Sequence, residues 1–158
     1  MKKNKIIKIA GIVVIAALII AIGTAYYMFN KPHRDVQHTQ ADYILTASEL
    51  VAEYLNDAAS ANEKYLSSDG ESKILELSGL IKEVSKNMKG ETVILLLSAE
   101  SLAGVSATLD ASIEIIFEKL VIGKNITIKG VIRSGAIYDT DMEMYRNAVL
   151  DKCSIIQL

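Results

Sequence analysis

Two stretches decide how this chain reads: ILELSGLI, residues 74–81, and NITIKGVI, residues 125–132. Apolar residues recur at every second place in both, Leu75, Leu77 and Ile81 in one, and Ile126, Ile128 and Ile132 in the other. Each carries a glycine at the same position, Gly79 and Gly130. A period of two marks a strand with one buried face. Glycine inside a strand weakens it, and commonly marks a bulge or a tight bend where a barrel turns a corner.

The segments around these two extend the pattern. Asn87–Gly90 reads as a turn, and Val93–Leu97 as the continuous apolar run of a central strand. After a second turn at Ala99–Gly104, Val105, Ala107 and Leu109 alternate with Ser106, Thr108 and Asp110. The spacing then turns helical over Ile113, Ile116, Phe117, Leu120 and Val121, with Asp110 or Ser112 to cap the start and Gly123 to end it. A polar loop from Arg133 to Asn147 leads to a last strand from about Val149 to Ile156. Five strands with a short helix between the third and fourth, over residues 72–158, predict an OB-fold barrel in a mainly β, α+β domain. The competing architecture is a cystatin-like sheet wrapped on a long helix.

That long helix comes earlier. Tyr43, Ala47, Leu50, Tyr54, Ala58, Ala61 and Tyr65 form a stripe at spacings of three and four, widened by Ile44, Val51 and Leu55. The stripe predicts an amphipathic helix with one buried face. Thr46 with Glu49, and Ser60 with Glu63, each fit a capping box, so the helix starts late or breaks near Asn56–Ser60. Tyr43, Tyr54 and Tyr65, eleven apart, share one face and read as packing against the barrel.

The chain begins differently. Lys2, Lys3, Lys5 and Lys8 precede an uncharged run from Ile9 to Asn30 in which Thr24 is the one clearly polar side chain before Phe29. As a helix, Ile9–Phe29 would reach roughly 31 Å, about the thickness of a bilayer's hydrocarbon core. A cleaved signal has a shorter apolar core, of about 7–15 residues. This run continues through Tyr26 and Tyr27, where an interfacial aromatic belt would lie, and Pro32 stops the helix just beyond. The expectation is an uncleaved single-pass anchor over residues 1–30, spanning at 9–29, in the inner or cytoplasmic membrane. The basic flank places the N-terminus inside and the C-terminal domain outside. No cysteine occurs in the first thirty residues, which excludes a lipid-anchored lipoprotein. Residues 31–40 read as a polar linker, and 41–158 as one domain of helix plus barrel.

The net charge of −2 hides an asymmetry: beyond residue 30 there are 13 basic residues against 19 acidic, a balance of −6. That disfavours non-specific nucleic-acid binding, which depends on phosphate neutralisation by Lys and Arg. The lone Cys153 permits no intramolecular disulfide.

The runs SELVAEYLNDAASANEKYL (48–66), ILELSGLIKEV (74–84), LVIGKNITIKGVIRSG (120–135) and LDKCSII (150–156) resemble the tRNA-anticodon-binding-like (tRNA_anti-like) OB-fold proteins of bacteria. Gly123–Gly130 and the strand with Asp-Lys-Cys carry most of the resemblance. It implies the OB fold, and its nucleic-acid-related name reflects structural similarity. Family members commonly hold two barrel cysteines; here Cys153 alone matches and the strand around Ser106 has none.

Few constellations point to chemistry. His33 and His38, with Asp35 between, read as solvated linker residues and not as a metal site. Asp139, Asp141 and Glu143 alternate like the start of a calcium loop, but Met144 stands where an EF-hand needs glycine and Leu150 where it needs glutamate. Both histidines precede residue 39, leaving the folded part without a histidine base, and no phosphate-cradling glycine loop occurs. Glu114 and Glu118, one helical turn apart, read as a solvated face. No catalytic activity, metal or cofactor is expected.

OB-folds bind ligands over the second and third strands and the loops after the first and fourth. Nucleic acid there needs stacking aromatics and a basic groove. Residues 91–98 and 105–110 contain no Phe, Tyr, Trp, Lys or Arg. The loops do: Lys86 and Lys89 in one, and Arg133, Tyr138, Tyr145 and Arg146 in the other. These six are the candidate ligand-binding residues. The expected function is a membrane-anchored, extracytoplasmic binding module for a peptide, glycan or partner protein. Nucleic-acid binding is one alternative, and self-association through the Tyr43/Tyr54/Tyr65 face another. The oligomeric state is not legible.

Overall fold

A computed structural model describes residues 2–29, 35–98, 100–110 and 119–158, with the side chains of the first helix from Val13 onward. The chain divides into two units, Met1–Arg34 and Asp35–Leu158.

The first unit is helix α1, Lys2–Phe29, whose described large apolar side chains are exposed. Among the described residues no helix is long and apolar enough to cross a membrane. The transmembrane span expected at residues 9–29 therefore lacks structural support.

The second unit is built on a closed barrel. Strand β1 (Tyr43–Thr46) leads into helices α2 (Ala47–Asn56) and α3 (Ala58–Tyr65), and then come β2 (Ile74–Lys86), β3 (Thr92–Leu96), β4 (Val105–Leu109) and β5 (Asn125–Ser134). A small hairpin, β6 (Ile137–Asp139) and β7 (Met144–Arg146), precedes β8 (Ala148–Gln157). Neighbouring strands run β2-β3-β4-β8-β5, and β5 pairs back onto β2 to close the ring. Every barrel pairing is antiparallel except β4 with β8. This is the expected five-stranded OB-like barrel, with extra strands. The predicted helix over 113–121 falls largely on residues 111–118, outside the described residues, as do Glu114 and Glu118.

Strand β2 is long because it serves two partners. Residues 74–80 pair with β5, from Ile74 opposite Val131 to Leu80 opposite Asn125, and residues 81–86 pair with β3. The register shifts between Ile81 and Glu83, where the partner changes. A bulge there bends the strand round the barrel. Both matched glycines lie where another segment comes close. A Cβ on Gly79 would sit 3.1 Å from the Cβ of Ala47, the first residue of α2, and one on Gly130 would collide with the Cys153 sulfur. Opposite Gly130, β8 bulges through Lys152, which has φ of 52°.

The amphipathic segment differs from the single helix in two places. Tyr43–Thr46 is a strand, paired in parallel with Leu75–Ser78 of β2. Thr46 then caps α2 with the expected box: Thr46 Oγ1 accepts from Glu49 N at 3.1 Å, and Glu49 Oε2 accepts from Thr46 N at 2.7 Å. The break falls at Asp57, whose Oδ1 accepts from Ala59 N and Ser60 N, both at 3.1 Å. A carboxylate two to three residues ahead of free amides caps α3, so the Ser60–Glu63 box is not the one used.

The core combines the inward residues of the barrel, among them Leu77, Ile94, Val105, Ile128 and Leu150, with Leu50, Val51, Tyr54 and Tyr65 of the helices. Burying each such side chain contributes about 1.5–3 kcal/mol before entropy is subtracted. Residues 35–40, read as linker, fold back onto the barrel: Val36 is buried against Ile74 and Val131, and Lys129 Nζ donates to the Gln37 carbonyl at 2.6 Å.

Candidate functional site

The strands that bind ligands in OB-folds are here β3 and β4. Their inward residues Ile94, Leu96, Val105 and Ala107 are fully buried. Val93, Leu95, Ser106 and Thr108 face the other way, with Val93 opposite Thr108 and Leu95 opposite Ser106. Glu83 and Ser85 of β2 continue that outer row. The face is a mixture of aliphatic and hydroxyl groups with one carboxylate, and offers no ring or cation.

The two candidate loops stand at opposite ends of this face. Lys86 is level with Thr92, which adjoins the Val93–Thr108 pair, whereas Ala148, just past the hairpin, is level with Val105. The separation along β4 is about 10–14 Å. Lys86 and Lys89 are exposed at the first end, on a turn held by Asn87 Oδ1, which accepts from Lys89 N at 2.9 Å and Glu91 N at 3.0 Å. Arg133 lies in β5, where its Nε is 3.5 Å from Asp151 Oδ2. It therefore ties β5 to β8.

The polar loop expected over 133–147 is instead the β6–β7 hairpin, in which Tyr138 pairs with Tyr145, and Ile137 with Arg146. The two tyrosine rings are 4.9 Å apart at a tilt of 57°. Asp139 Oδ1 accepts from Asp141 N and Met142 N, both at 3.1 Å, and Arg146 Nη1 lies 3.8 Å from Asp139 Oδ2. Both oxygens of Asp139 thus hold the turn together. That is an Asx turn closed by an ion pair, and it gives a cation no open carboxylate at Asp139. Among the described residues no three or more of His, Cys, Asp and Glu group so as to hold a metal. His38 Nδ1 is 2.7 Å from Asp35 Oδ2, and the His38 amide and ring hold the exposed Asp35 carboxyl below its usual range. His33 lies outside the described residues.

Two adjoining cavities open between the hairpin and the α2–α3 pair. One, of about 510 Å³, is lined by Tyr54, Leu55, Ala58, Leu102, Ile137, Tyr138 and Tyr145. The other, of about 280 Å³, shares Tyr54, Ala58 and Ile137 and continues along Gly135 and Ala136. Ile137 is 51% exposed and Leu102 65%, so large apolar side chains stand open to solvent at the mouth. Gly135 is required there because a Cβ would enter the Tyr54 ring. Of the residues read from the sequence, Tyr138 and Tyr145 belong to this groove. Ile137 and Leu102 were missed, although Ile137-Tyr138 and Met144-Tyr145 flanking an acidic turn are a hairpin signal.

Tyr54 is 2% exposed, and its hydroxyl has no hydrogen-bond partner among the described residues. Burial, then the neighbouring Tyr65 and Glu53, push its phenol up to about 12. Tyr65 stacks on it at 6.0 Å and meets Tyr43 edge-on at 5.2 Å. The Tyr65 hydroxyl donates to Glu53 Oε2 at 2.8 Å, and Lys64 Nζ donates to the same carboxylate at 2.9 Å. The hydrogen bond from Lys64 holds Glu53 below its usual range. Tyr54 and Tyr65 are therefore core packing, closed to self-association. Cys153 is free and buried, and desolvation raises its thiol well above the ordinary range.

A family model, tRNA_anti-like, matches residues 1–148. The match ends at the first residue of β8, so the Asp-Lys-Cys strand lies beyond it. A crystal structure from Klebsiella pneumoniae subsp. pneumoniae, described as a "putative nucleic acid-binding lipoprotein", shares the fold with a TM-score of 0.53. It is 15% identical, and the match covers 80% of this chain and 99% of that one. No curated protein matches.

Proposed function

Because the chain belongs to the tRNA_anti-like family, we propose that it is a non-catalytic OB-fold binding module, tethered to the membrane and working outside the cytoplasm on a peptide, glycan or partner protein. The observation that carries this reading is the hairpin at the loop between β5 and β8. It sets two tyrosines and exposed aliphatic side chains beside an open groove, on a barrel whose interior is filled by its own core. OB-folds use that loop for ligands. Support for the tether comes from the sequence: the uncharged run Ile9–Phe29 behind four lysines.

A phosphatase reporter fused after Leu158 tests the topology. Activity outside the cytoplasm agrees with the reading, and a silent fusion in a chain that is made and folded overturns it. Photo-reactive residues at Thr108 and Tyr138 in living cells test the module, which fails if neither forms an adduct.

The family and the solved neighbour carry nucleic-acid names, which keeps one second reading open. The surface opposes it: the β3–β4 face lacks rings and cations, and the acidic balance beyond residue 30 repels phosphates. A salt-dependent shift of labelled single strands, lost in Lys86→Glu/Lys89→Glu, would restore it.

A further inference from the structure

We infer that the groove between the β6–β7 hairpin and the α2–α3 pair binds a basic, amphipathic peptide segment, apolar side chains inward and cations towards the acidic turn of the hairpin. The inference rests on the reading of the chain as a binding module, and moves the ligand off the β3–β4 face.

The groove has the volume and lining of a ligand site. About 510 Å³, walled by Tyr54, Leu55, Leu102, Ile137, Tyr138 and Tyr145, lies within the range of such sites. Large side chains left open at its mouth, above all Ile137 and Leu102, gain by being covered. Tyr54 lines both adjoining cavities and gives the groove a fixed inner wall.

Charge selects the occupant. The cation of the hairpin, Arg146, is neutralised by Asp139. Asp141 and Glu143 project from the hairpin turn, exposed and without an ion pair among the described residues. Lys64, on the helical side, is paired with Glu53. What remains is an apolar trough whose hairpin wall continues into a turn with two exposed carboxylates, a charge that attracts lysine or arginine and repels acidic chains. A helix lying in a groove by its apolar face is the matching recognition mode.

The test uses the full chain in phosphatidylcholine nanodiscs, with empty discs subtracted. The probe is a short labelled peptide with leucines on one helical face and lysines on the other. Anisotropy should show saturable binding, weakened about ten-fold by Ile137→Glu or Leu102→Glu, a loss of about 1.4 kcal/mol. Asp141→Asn/Glu143→Gln should weaken it about three-fold and flatten its salt dependence. A leucine–glutamate peptide binding equally well overturns the inference. So does a titration indifferent to Ile137→Glu and Leu102→Glu in chains that melt like the parent. If Lys86→Glu/Lys89→Glu abolishes binding while Ile137→Glu does not, the groove is refuted and the binding module stands.

Discussion

The outer face of β3–β4 and the groove beside the β6–β7 hairpin are neighbours on one barrel, yet are built from different chemistry. The face presents Val93, Leu95, Ser106 and Thr108 on strands whose inner residues are fully buried. The groove gathers three tyrosines and two exposed aliphatic side chains. The face is made by residues that had to be strand formers. The groove is made where the β6–β7 hairpin and the α2–α3 pair meet, outside the paired strands of the barrel.

The largest effect that could break this comparison is Gly135→Ala. The new methyl would enter the Tyr54 ring and destabilise the domain by about 2–3 kcal/mol in urea denaturation. A loss below about 0.5 kcal/mol would mean that the hairpin is not seated on Tyr54. Next comes alkaline pH. The Tyr54 phenol is raised from 10.0 to about 12 in the fold, so the unfolded chain ionises first. Stability is held below about pH 10 and falls as pH rises towards 12. Tyr54→Phe should remove that part of the decline. Parallel melting curves for parent and variant between those values would refute the buried phenol.

Thr46→Ala tests the helical wall of the groove and should cost about 1 kcal/mol by removing the capping box of α2. Smallest of all, Ser106→Ala or Thr108→Ala on the β3–β4 face should change stability by no more than about 0.5 kcal/mol and leave leucine–lysine peptide binding alone. A ten-fold loss of affinity in either would return the ligand to the face.

Much of the barrel was legible because its signals are local. Alternation located the strands at Leu75–Ile81, Val105–Leu109 and Ile126–Ile132, and the capping box at Thr46 located the start of α2. Strand β1 was hidden because Tyr43 and Ile44 also fit the helical spacing that follows them. The hairpin was hidden inside a loop rich in Asp, Asn and Arg, where three-residue strands leave almost no periodic signal. Tyr138 and Tyr145 were singled out as loop aromatics, whereas Tyr54 was read as packing. It is packing, and it also forms a wall of the groove.

By itself, then, the sequence settled what depends on neighbours along the chain: the alternation of strands, the capped helix, the matched glycines, the acidic balance and the basic-then-apolar start. It could not settle which distant residues share a surface. Tyr54 and Gly135 stand far apart in the chain and in contact in the fold, and Leu102 joins Ile137 only because β4 and β8 pair in parallel. The groove exists where these segments meet. Side-chain periodicity reports the face on which a residue lies, and only closure of the barrel decides what that face meets.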